Sequence, residues 1–81
     1  MPTVGRAGPY RILFFSADRS EPPHVHVLRD AAAVKLWLDP VAIARNHGFS
    51  PIEVRRIRGI IVLRQTELLE KWNGYFRQEK R

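Results

Sequence analysis

The stretch EPPHVHV, residues 21–27, sets two histidines one residue apart behind a pair of prolines. On a β-strand, residues i and i+2 project to the same side with Cβ atoms roughly 7 Å apart, so His24 and His26 would work as a pair. Three chemistries suit them. With a third donor they could ligate a metal, and Asp18, Glu21 and Asp30 lie nearby in sequence; His-x-His alone is a weak metal signal, and no metal or other cofactor is expected. They could instead act as catalytic acid and base on RNA, one imidazole taking the 2′-hydroxyl proton while the other protonates the leaving oxygen. Or they could contact phosphate without catalysis. Against all three stands a structural role, in which His24 anchors the strand edge by hydrogen bonds and His26 is half buried among Leu13, Phe15 and Trp37.

The histidines need a sheet to hold them. PYRILFFS is aromatic and β-branched between Gly8-Pro9 and ADRSEPP, and reads as a strand. HVHVLRD alternates cleanly as a second strand and AAVKLWLD as a third, with an edge strand near PTVGR preceding them. After Asp39-Pro40 the period changes: VAIARNHG suits a short helix started by Pro40 and stopped by Gly48. Ser50, Pro51 and Glu53 then form a strong helix opening with capping-box spacing. Val54, Ile57, Ile61, Leu68, Trp72 and Tyr75 recur at helical steps, which predicts one long helix with weak points at Gly59 and Asn73-Gly74. The expected fold class is therefore α+β: a three- to four-stranded antiparallel β-meander covered on one face by a long C-terminal helix, with a short helix before it. It should form a single domain over residues 1–81, the meander spanning about 2–39 and the helical part about 41–77.

Period two assigns the faces. Tyr10, Ile12 and Phe14, Val25 and Val27, and Val34, Leu36 and Leu38 share the phase that should meet the helix. The opposite phase collects Arg11, Leu13 and Phe15, His24, His26 and Leu28, and Lys35 and Trp37, a mixture of cation, imidazole and aromatic groups that a single bulge would scramble. His24 and His26 are the catalytic candidates. Arg11 and Lys35 could stabilise a phosphorane, Trp37 could stack on a base, and Arg55 and Arg58 share one side of the long helix as a candidate phosphate patch.

Fourteen Lys and Arg against eight Asp and Glu leave a net charge of +6 on 81 residues. That balance favours a polyanionic partner, nucleic acid first and an acidic protein second. At 44% hydrophobic and 27% charged residues the chain is outside the range of disorder. Without cysteine it has no disulfide, no thiolate nucleophile and no zinc-ribbon spacing, so a small core or a bound partner must stabilise it. No segment offers the roughly 20 apolar residues of a membrane span, MPTVGRAGPY lacks a signal-peptide core, and a cytoplasmic protein is expected.

PYRILFFSADRSEPPHVHV, AVKLWLDPV, ARNHGFSPIEVRRI and LLEKWNGYF resemble, in order and across almost the whole chain, the small bacterial family named domain of unknown function 4160. The resemblance implies a partner in two-gene cassettes of the toxin–antitoxin type, beside a cognate small protein encoded nearby. It carries no established catalytic residue. The expected function is thus one component of such a pair that binds RNA, and in one version cleaves it as a metal-independent ribonuclease, through the His-x-His face. The alternatives are a non-catalytic interaction partner or homo-oligomer and, supported by basicity alone, a DNA-binding regulator.

Overall fold

A computed structural model describes residues 3–14 and 20–79. Five strands, β1 (Thr3–Ala7), β2 (Tyr10–Leu13), β3 (His24–Arg29), β4 (Ala32–Leu38) and β5 (Val41–His47), precede two helices, α1 (Pro51–Leu63) and α2 (Gln65–Glu79). The strands lie in sequence order in one sheet, every neighbouring pair antiparallel. The chain is α+β, with a larger sheet than the three or four strands expected. Gly8 turns β1 into β2 and Asp30 turns β3 into β4, each at positive φ, where glycine is unstrained and Asp is among the better-tolerated side chains. Among the described residues no helix is long and apolar enough to cross a membrane.

Residues 41–47 correct the sequence reading: the expected short helix is strand β5, so the meander runs to His47 and not to about 39. A two-residue connection, Asp39-Pro40, returns the chain directly alongside β4, whose free edge offers ladder hydrogen bonds that an isolated two-turn helix could not match. Val41 and Ile43 add β-branched preference. Gly48 is therefore no helix stop. It turns the chain from β5 towards α1 at φ 97°, and a Cβ there would lie 3.2 Å from that of Ala32.

The long helix is also divided. Arg64 caps α1, its amide bonding to Ile61 O at 3.1 Å, and α2 begins at once with Leu68 N on Arg64 O at 2.9 Å. Gly59 and Asn73-Gly74, the expected weak points, lie inside α1 and α2. The break falls where two side chains reach the sheet: Gln65 Nε2 donates to Leu38 O at 2.6 Å and Arg64 Nη1 to Arg6 O at 3.3 Å. The apolar stripe survives the division. Ile57, Ile61 and Leu68 bury against Ile12, Val25, Val27, Val34, Leu36 and Leu38, while Trp72 and Phe76 close a second cluster on Phe14.

Glu53 ties the two layers together. Ser50 Oγ accepts from Glu53 N at 3.2 Å as expected of an N-cap, but the Glu53 carboxylate turns inward, accepting from Tyr10 OH at 2.7 Å and from Arg29 Nη1. The Arg29 guanidinium also lies 5.5 Å from the centre of the Phe49 ring and 6.0 Å from that of Tyr10. One carboxylate thus joins β2, β3 and the start of α1. Its hydrogen bond to Tyr10, followed by burial, raises the phenol above its ordinary pKa of 10.0.

Replacing Glu53 by Ala should lower unfolding free energy by about 1–3 kcal/mol, read by urea melts, because two part-buried donors lose a charged acceptor. A raised phenol pKa means that the native state holds this proton more tightly than the unfolded chain. The stability it contributes is complete below pH 10.0 and is lost as pH rises through the native-state value. An ultraviolet tyrosinate titration should show Tyr10 ionising late in the wild type and earlier in Glu53→Gln; identical curves would contradict the link.

Candidate nucleic-acid interface

Pairing partners in an antiparallel ladder share a face, so the register places each candidate side chain. His26 of β3 stands opposite Leu13 of β2 and Lys35 of β4, and Lys35 stands opposite Arg45 of β5. The next row in the same phase runs from Arg6 through Arg11, Leu28 and Ala33 to His47. Val27, Val34 and Leu36, one residue out of phase, are in the core under the helices. The second face of the sheet therefore carries a band of cations and imidazoles from β1 to β5.

Arg45 and His47 join that band because of a bulge. Lys35 pairs with Arg45 while its neighbour Leu36 pairs with Ile43, which leaves Ala44 as an extra residue in β5. Before the bulge Val41 packs against the core cluster; after it Asn46 turns to the helix side, where its side chain bonds both Phe49 N and Phe49 O. Unbroken alternation would have put Arg45 and His47 in phase with Val41. Reading 41–47 as helix hid both residues, although Asp39-Pro40 between two apolar runs is a hairpin-like signal.

The middle of the band borders a cleft of about 360 Å³ lined in part by Glu21, His26, Ala33, Lys35, Arg45 and His47. Lys35 Nζ sits 4.7 Å from the centre of the Trp37 ring and donates to Glu21 Oε1 at 2.6 Å. Glu21, considered as a metal ligand from its position in sequence, here orients a cation. Arg45 and His47 are exposed, whereas Arg11, His26, Lys35 and Trp37 are half-buried. Asp18 and Phe15 lie outside the described residues, among which no group of three or more His, Cys, Asp or Glu could hold a metal ion.

His24 does not line the cleft. It is 0% exposed, at the first position of β3, with ring centres of His26, Trp37 and Trp72 at 5.1, 5.6 and 5.1 Å. Period two places it beside His26, but Trp72 of α2 reaches that end of the strand. Its Nδ1 lies 2.9 Å from Pro22 O, and since a carbonyl only accepts, this nitrogen carries the proton. Pro23 O accepts from Leu38 N at 3.0 Å, so the proline pair supplies acceptors to both the ring and β4. His24 holds the start of β3 in place.

The structure thus brings Arg11, His26, Lys35 and Trp37 onto one face and adds Arg45 and His47. It does not bring Arg55 and Arg58 there: both are exposed on α1, whose buried side chains Ile57 and Ile61 face the sheet, so they belong to the opposite side of the molecule.

No curated protein and no solved structure matches the chain. A family model does match, over residues 10–73, from the first residue of β2 to most of α2 and across His26, Lys35, Arg45 and His47. By that match the chain belongs to the family described as Domain of unknown function (DUF4160).

Proposed function

We propose that the protein binds single-stranded RNA through the second face of its sheet, as one member of a two-component pair of the toxin–antitoxin type. The observation that carries the RNA reading is the row His26, Lys35 and Arg45 across three adjacent strands, flanked by His47 and Arg11 and bordered by Trp37. Cations on adjacent strands suit a phosphate backbone, and the Trp37 ring, with Lys35 over it, adds an aromatic surface beside them for a base to contact. A net charge of +6 supplies long-range attraction. Pairing with a cognate small protein rests on the family resemblance, and an acidic surface on that partner would compete with RNA for the same band.

A second reading, a non-catalytic interaction protein, is favoured by α1, which leaves Ile52 67% and Leu63 87% exposed beside Arg55 and Arg58. The two readings use opposite faces and separate by mutation. DNA binding through basicity alone would show as equal affinity for duplex DNA.

Binding of a short fluorescent RNA should weaken linearly on a log–log plot against salt, with a slope of about 0.7 per phosphate contacted. The double variant Arg11→Ala, Arg45→Ala should lower affinity and reduce that slope by about one to two units, while Arg55→Ala, Arg58→Ala should change neither. Salt-independent binding, or loss only in the α1 variant, would refute the assignment of the face. In cells, expression of the chain alone should slow growth or degrade RNA, and co-expression with its neighbouring gene product should reverse this; harm from the neighbouring product alone that this chain relieves would make the chain the neutralising member.

A further inference from the structure

His26 and His47 border the same cleft from different strands, with Lys35 and Arg45 between them. His26 lies in the row of Lys35 and Arg45, and His47 lies two residues beyond Arg45 on the same side of β5. With strands about 4.8 Å apart and a rise of about 3.4 Å per residue, the two histidine Cα atoms are roughly 12 Å apart. The midpoint of that diagonal falls over β4 between Lys35 and Ala33, the partners of Arg45 and His47. A methyl group there keeps the floor low, Arg45 borders it, and the Lys35 ammonium lies at the Trp37 end of the same cleft, held by Glu21. A phosphodiester seated at this point would have an imidazole on either side, the arrangement that proton removal and proton donation at one phosphorus require. His24 and His26 offer no such arrangement, because the buried His24 ring has its Nδ1 proton committed to Pro22 O.

We infer that the cleft is a ribonucleolytic centre whose acid–base couple is His26 and His47, an inference that rests on the RNA-binding reading above. One imidazole, in its neutral form, takes the proton of the 2′-hydroxyl as O2′ bonds to phosphorus. The P–O5′ bond breaks, and the other ring, as imidazolium, gives its proton to O5′. The products are a 2′,3′-cyclic phosphate and a 5′-hydroxyl, with no change of oxidation state and no co-reactant. Water can then open the cyclic phosphate with the two rings exchanging roles, which restores both protonation states. Lys35 and Arg45 neutralise the charge that builds on the equatorial oxygens. Glu21 is a positioning residue, holding Lys35 Nζ at the cleft through their 2.6 Å contact. DNA, lacking the 2′-hydroxyl, would bind and remain uncut.

The test uses the full chain, a short single-stranded RNA with a fluorophore and quencher, its DNA twin, and its 2′-O-methyl twin for binding, all in EDTA. The expected result is cleavage of the RNA alone, with a cyclic phosphate on the 5′ fragment by mass spectrometry. His26→Ala and His47→Ala should each slow cleavage at saturating RNA by about 10²-fold or more, well beyond whatever affinity for the 2′-O-methyl strand each loses, with the circular dichroism spectrum little changed. His26→Gln serves if the alanine variant is poorly folded, since His26 is half-buried. Binding of the 2′-O-methyl strand without cleavage of the RNA, or wild-type cleavage by His47→Ala, would overturn the inference and leave RNA binding intact. Failure to bind any strand at low salt would instead remove the RNA reading itself.

Discussion

Side chains along a strand alternate with period two, and in β5 one inserted residue decides which of them meet the core. Ala44 is that residue: on one side of it Val41 packs with the helices, and on the other Arg45 and His47 turn to the second face. The bulge reconciles two demands on a seven-residue strand. It closes the apolar layer under α1, and it completes a row of polar side chains begun by His26 and Lys35 on the preceding strands. Without the re-phasing, a guanidinium and an imidazole would enter the helix side of the sheet, where an unpaired charge is costly to bury.

The helical layer holds the sheet through few but specific polar contacts placed at the two ends of α1. Glu53 gathers Tyr10 and Arg29 at the start of α1, and Gln65 with Arg64 reaches strand carbonyls where α1 gives way to α2. Between these points the contact is apolar, through Ile57 and Ile61, and Leu68 continues it in α2. Directional bonds at the ends and area burial between them give the sheet one orientation against the helices, and with it a second face of defined composition.

The two histidines of PPHVH have separate fates despite sharing a phase. His24 is enclosed by His26, Trp37 and Trp72, with a proline carbonyl fixing its tautomer, and it stiffens the start of β3. His26, two residues further along, borders the cleft. The polar groups nearest His26 are accordingly not those of a pair on one strand but those of a cleft bordered by three strands, Lys35, Arg45 and His47 among them.

Much of this fold is legible in the sequence because its causes are local. Alternation along residues 10–14, 24–28 and 34–38 names the core side chains, and Ser50-Pro51 marks the start of α1, since both follow from backbone geometry and from the caps that backbone requires. Arg11, His26, Lys35 and Trp37 are assigned to a common face on the same ground. What tertiary structure alone decided involves neighbours distant in sequence. Residues 41–47 became a strand because β4 offered an edge, and the bulge at Ala44 followed from pairing with Lys35 and Leu36. His24 became buried because a tryptophan 48 positions away reaches it. Period two states which side of a strand a residue faces; it cannot state what is packed there, because that is set by contacts that exist only once the chain has folded back on itself.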